Sequence, residues 1–196
     1  MAGVHAAPLT HVQAPGKWLW DVDSYYAAWE AGIFGEDAKL ELLDGEVYRK
    51  LGPQKALHAT GIGFAMRALS PFIGSDTWLR IQQPLRLGWN NEPEPDLAVV
   101  RGSAISYLDH HPGAQDALLV VEVSDRTLGL DRRKKKNLYA THRIQEYWIL
   151  NVRQWQLEVY RDPHDGNYNM SEVLRSGDTI VPLFSGRPLL VSELVP

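Results

Sequence analysis

The 196-residue chain contains no cysteine, which excludes disulfides, thiolate zinc sites and a cysteine nucleophile. No apolar run approaches membrane-spanning length, and the opening from Met1 to Gly16 is small and polar rather than a secretory leader. A cytoplasmic protein with no membrane partner is the expectation. No Gly-rich phosphate loop is present, which argues against nucleotide-driven chemistry. Ser124 lacks the flanking glycines of a nucleophile elbow, and no two of the seven histidines stand at helical i, i+4 spacing for zinc. A net charge of −4 argues against a general nucleic-acid-binding surface.

What is present begins with Ala117-Leu-Leu-Val-Val-Glu-Val-Ser124, an apolar, β-branched run that reads as a strand covered on both faces. It carries one carboxylate, Glu122, and a buried carboxylate is costly unless paired or bound to a cation. The length suits one domain, with residues 1–17 as a flexible start and 18–196 as the folded unit. Asp21 or Asp23 caps a helix through Tyr25, Tyr26 and Trp29, which Gly32 stops. Leu40–Leu43 and Glu46–Tyr48 flank Asp44-Gly45, a type I′ hairpin turn. An amphipathic helix follows between Pro53 and Ile73, then strands over Thr77–Leu87 and Leu97–Val100. Beyond the Glu122 strand, a helix runs from Asp131 through His142, followed by strands over Glu146–Leu150 and Trp155–Tyr160 and a tail of short strands. This order predicts an α/β fold, a mixed sheet flanked by helices.

Asp96 and Glu122 fall on two strands joined by one long loop, so neighbouring strands bring them close. Two such charges demand a cation or a shared proton, and a hard divalent ion fits. An isolated Pro-Asp is more often a turn cap, the bland reading of Asp96. Lys135 stands four residues after Asp131 and four before Tyr139, which turns it inward; Lys134 and Lys136 rotate toward solvent. Alternation puts Glu41 on the strand face opposite Leu40 and Leu42, where it is either a third acid or an exposed strand residue. The segment Arg126 to Arg143 carries net +6, which leaves −10 for the remainder, so a polyanion would meet the chain at one place.

The ordered set Glu41-Leu-Leu-Asp-Gly-Glu46, His58, Pro95-Asp96-Leu-Ala-Val-Val100, Val120-Val-Glu-Val-Ser124, Asp131-x-x-x-Lys135-x-x-x-Tyr139 and Glu146-Tyr-Trp-Ile149 resembles the Uma2 family. That family belongs to the PD-(D/E)XK restriction-endonuclease-like superfamily, and the resemblance runs from Asp21 to the C-terminus. It implies a restriction-endonuclease-like mixed sheet in which Asp96, Glu122 and the Val123 carbonyl hold Mg²⁺ or Mn²⁺, with Glu41 as an auxiliary acid. The superfamily's usual lysine, two residues after the Glu, is here Ser124; Uma2-like proteins supply it from the following helix, which matches Lys135. His58 recurs in the resemblance as an auxiliary candidate, although a lone His near a helix start is more often a structural hydrogen-bonder.

The function expected is metal-dependent endonucleolytic hydrolysis of DNA, with Arg132, Arg133 and Lys134 on flanking phosphates. Two rivals stand beside it: a nuclease-fold protein that binds nucleic acid or a protein without cutting, and a structural module whose buried acid–lysine pairs are satisfied internally. A homodimer is expected by analogy alone, and the apolar tail from Ile180 to Pro196 covers either the core or a partner.

Overall fold

The computed structural model describes residues 16–35, 37–50 and 55–195. The expected flexible start, residues 1–17, therefore lies almost wholly outside the described residues. A six-stranded mixed sheet organises the rest, in the order β3 (Thr77–Ile81), β4 (Leu97–Arg101), β5 (Ala117–Ser124), β6 (Glu146–Asn151), β7 (Gln156–His164) and β8 (Asn167–Leu174). All neighbours are antiparallel except β5 and β6, whose parallel pairing requires the helical crossover between them.

Both faces of the central strands are buried, as the unbroken apolar run of β5 requires. On one face Val121, Val123, Trp148 and Leu150 pack against α2 (Ala56–Leu69) and the C-terminal segment. The tail from Ile180 to Val195 contributes Leu189, Val191, Leu194 and Val195 to this core, so it covers the chain's own sheet. On the other face Val120, Tyr147 and Ile149 pack against Leu138 and Tyr139 of the crossover.

The crossover helix has three segments: α3 (Leu128–Leu130), a π turn (Asp131–Lys135) and α4 (Lys136–Thr141). It starts three residues before Asp131, because Thr127 rather than Asp131 accepts the first backbone bonds, from Leu130 and Asp131. The π turn keeps Asp131 and Lys135 inward while Arg132 and Arg133 stay exposed.

The hairpin of β1 (Leu40–Leu43) and β2 (Glu46–Arg49) forms at Asp44-Gly45, both at positive φ (54° and 72°) as a type I′ turn demands. The helix α1 (Val22–Glu30), capped by Asp21 through a 2.6 Å bond from the Ser24 amide, lies on this hairpin. Val22, Tyr25, Leu40 and Leu42 form a small core of their own there.

One strand ends earlier than its sequence suggests. β3 stops at Ile81 because Gln82 takes a positive φ of 51° and Pro84 has no amide to donate. Residues 82–96 instead form an irregular strap, and the hairpin docks on it through reciprocal backbone bonds between Leu42 and Glu92. Among the described residues no helix is long and apolar enough to cross a membrane.

Candidate active site

Strand register brings the first two acids together. Leu97 on β4 faces Val121 on β5, so Asp96, one residue earlier, falls opposite Glu122. Asp96 Oδ2 accepts the Val123 amide at 2.8 Å and the His58 Nε2 at 3.1 Å, and Gln82 donates to Oδ1 at 3.3 Å. The Val123 backbone thus sits at the site beside both acids.

Glu122 points to the face covered by the crossover helix. Its Oε1 accepts the Lys135 ammonium at 3.0 Å and the Tyr139 hydroxyl at 2.8 Å. Lys135 also lies 3.0 Å from Glu41 Oε2, so one ammonium bridges the hairpin acid and the sheet acid. The inward setting of Lys135 follows from its spacing to Asp131 and Tyr139, since all three are buried. Tyr139, buried in the core under the crossover helix, is also a hydrogen-bond donor to Glu122.

Asp131 is a site residue that sequence reading did not single out. It is 1% exposed, and its Oδ2 accepts the Ser124 hydroxyl at 2.5 Å and the Thr127 hydroxyl at 2.6 Å. Ser124, in the position where the superfamily has lysine, therefore anchors the start of the helix that supplies Lys135. The signal available in the sequence was the hydroxyl, hydroxyl, acid order of Ser124, Thr127 and Asp131 ahead of the lysine run.

Four buried carboxylates, Glu41, Asp96, Glu122 and Asp131, surround one lysine. Burial pushes the Glu122 carboxyl up to about 8, the Lys135 charge offsets part of this, and Asp131, Asp96 and Glu41 add to it. Burial disfavours the Lys135 charge, but Glu122, Glu41 and Asp131 outweigh it and hold the ammonium well above its ordinary value. Asp96 shifts the other way from Glu122 and Asp131: burial raises it, and the bond and charge of His58 with the Val123 amide bring it below the usual carboxylate range. The same bond to Asp96 raises His58.

This excess of buried negative charge suits a divalent cation. Among the described residues no three His, Asp or Glu side chains converge as a ready-made cage. The set fits a hard ion of the Mg²⁺ type, which takes one or two carboxylates and completes its shell with waters and substrate oxygens.

The site forms the floor of a cavity of about 1080 Å³. Its acids are all buried or half-buried, whereas Lys39, Arg49, Lys55, Arg126 and Arg133 line it and are exposed. None of these five cations carries an ion pair among the described residues. Of the three cations expected on phosphates, Arg133 alone belongs to this rim. Arg132 is spent on Glu158, with its Nε 2.9 Å from Oε2, and Lys134 lies 3.2 Å from Asp44 and 3.4 Å from Glu46. Of the other four, Arg126 opens the same basic stretch of sequence, while Lys39 and Arg49 come from the hairpin and Lys55 from the start of α2, where no run of charge marks them.

A family model described as "Putative restriction endonuclease", Uma2, matches residues 23–191. The chain belongs to the Uma2 family. No curated protein matches it at a significant level. Among solved structures, the chain is similar to a crystal structure of a putative nuclease belonging to DUF820 from Anabaena variabilis. The TM-score is 0.58 at 18% identity, covering 81% of this chain and 90% of that one. At that identity the likeness is one of fold, and the fold of this Uma2 chain is thus the mixed, restriction-endonuclease-like sheet.

Proposed function

We propose that this Uma2 protein is a divalent-metal-dependent endonuclease that hydrolyses phosphodiester bonds in DNA at the Asp96, Glu122 and Lys135 site. The observation that carries this reading is the imbalance of four buried carboxylates against Lys135 and the half-buried His58 at the floor of a cation-rimmed cavity. When bound, Mg²⁺ or Mn²⁺ supplies Lewis-acid charge to the scissile phosphate and the attacking water. Asp96, Glu122 and the Val123 carbonyl would hold the ion. The chain's own groups do the rest of the work.

The Val123 amide and His58 fix the rotamer of Asp96, and Tyr139 fixes that of Glu122. Lys135 carries a persistent positive charge next to Glu122, where it orients the attacking water and stabilises charge developing on the phosphate. Glu41 keeps that ammonium in place from the hairpin side. A water oxygen bonds to phosphorus, the bond to the ester oxygen breaks, and that oxygen leaves with a proton. The rim cations hold flanking phosphates without reading sequence.

One arrangement favours a second reading, binding without cutting: Lys135 is engaged by both Glu41 and Glu122, so its charge is already compensated. Nicking of circular DNA in Mn²⁺, offered both as a single strand and as a plasmid, decides between the two. The wild type is expected to nick, and Asp96→Asn or Glu122→Gln to lose at least about a hundredfold in rate while staying folded. Nicking by either variant at the wild-type rate sinks the assignment, and a wild type that binds DNA without nicking leaves the binding role.

A further inference from the structure

We propose that the site takes an unpaired nucleic-acid strand, with a base of that strand stacked on Trp29. This rests on the nuclease reading of the site and goes beyond it, to the form of the substrate.

The first observation is depth. Glu41, Asp96, Glu122 and Lys135 are each between 4% and 8% exposed, so a phosphate reaches them only by descending below the rim. The space above them, about 1080 Å³, is close to that of pockets that enclose one small ligand, on the order of 300–1,000 Å³. A few nucleotides of one strand fit such a volume, and a duplex, with a second strand fixed alongside, does not.

The second observation is the chemistry of the wall. Trp29 lines the cavity from α1 and is 37% exposed, with its ring tilted against Tyr25 and Phe34 at centroid distances of 6.5 and 6.2 Å. Tyr26 lines the same wall, its hydroxyl donating to the Glu92 carboxylate. The partly exposed indole, held by its aromatic neighbours at the cavity wall, is placed where a base can cover it. The neighbouring rim cations Lys39 and Arg49 lie on the hairpin that α1 packs against, and they suit phosphates flanking a stacked base. Aromatic stacking combined with unpaired cations along a channel is the pattern by which proteins hold single strands, because every unpaired base offers a π face and a duplex hides it.

The test is fluorescence anisotropy of the full chain in EDTA, where no metal supports cleavage, with a labelled 12-nucleotide DNA strand and with the same strand annealed to its complement. The single strand is expected to bind at least about tenfold more tightly, and Trp29→Ala to weaken single-strand binding at least about fivefold while leaving duplex binding unchanged. Trp29→Leu, which keeps apolar packing against Tyr25 and Phe34 without the indole face, is expected to show the same loss and guards against misfolding of the alanine variant. Equal or tighter duplex binding, no binding of either form, or retained affinity in Trp29→Leu overturns the inference. A Mn²⁺ cleavage assay on the same oligonucleotides separates the two levels. Cleavage of duplex as fast as single strand overturns the strand preference alone, and selective binding without cleavage supports it while removing the nuclease reading.

Discussion

Glu122 and Glu146 stand on adjacent strands of one sheet, each at most 4% exposed and each raised above its ordinary pKa by burial. Their surroundings differ. Glu146 accepts Arg161 Nε at 2.9 Å, Trp148 Nε1 at 3.0 Å and the Leu183 amide at 2.8 Å, which uses both oxygens. Glu122 has two donors, both on Oε1, and shares its lysine with Glu41 while Asp96 and Asp131 press on it. One carboxylate is closed into the structure and the other is left short of positive charge at the floor of a cavity. Partner count, not burial, separates Glu146 from the acid proposed to do chemistry.

Substitutions that reverse the two roles test this comparison. Glu146→Ala should cost about 3–5 kcal/mol, because it strands a buried indole N–H, the Leu183 amide and the Arg161 charge. Glu122→Gln in EDTA should be neutral or stabilising. Denaturant melts of both variants check the pair, and equal losses would erase the distinction. The rates should invert: Glu146→Gln is expected to keep the wild-type cleavage rate per folded molecule, where Glu122→Gln loses at least about a hundredfold.

Lys135→Met should cost about 2–3 kcal/mol at pH 9 in EDTA, since it leaves Glu122 and Glu41 without their shared cation. At pH 6 the loss should be smaller, because there Glu122 carries its proton in the wild type as well as in the variant. Melts at the two pH values read this directly, and a pH-independent loss would mean that Glu122 is not the group left behind.

The raised Glu122 pKa also gives the wild type a pH dependence. The folded protein binds a proton on Glu122 more tightly than the unfolded chain, so the associated stability is complete below the unfolded value of 4.5. It is lost as pH rises to about 8. His58, raised by Asp96, contributes with the same sign. Asp96 itself, lowered, acts oppositely and only in more acid solution. The slope should flatten in Glu122→Gln, and an unchanged slope would assign the pH dependence elsewhere.

The smallest expected effect is on salt dependence. Replacing one rim cation, as in Lys55→Gln, should flatten the logarithmic dependence of single-strand affinity on salt by about 0.7. Arg132→Gln should leave that slope unchanged, since Arg132 is committed to Glu158.

Much of the site could be read from the chain because its constraints are local. The β5 run identifies a two-faced strand and makes Glu122 conspicuous on it. Asp44-Gly45 dictates the hairpin that carries Glu41, and the four-residue spacing of Asp131, Lys135 and Tyr139 turns the lysine inward. What escaped is tertiary. Residues 82–87 read as the end of a strand, yet with Gln82 at positive φ and Pro84 without an amide they join the strap on which the hairpin docks. The basic run looks like one phosphate-binding patch, yet the partners of Arg132 and Lys134 stand 26 and 88 residues away. The actual cation rim joins Arg126 and Arg133 of the basic stretch to Lys39 and Arg49 of the hairpin and Lys55 at the start of α2, a juxtaposition that no periodicity records.

The proposed function stands or falls on Glu122 being held for a cation. Calorimetric titration of Mn²⁺ into the wild type, Glu122→Gln and Glu146→Gln tests this directly. One site is expected in the wild type, with its loss in Glu122→Gln and its retention in Glu146→Gln. Absence of binding in the wild type, or binding that survives Glu122→Gln unchanged, would contradict it.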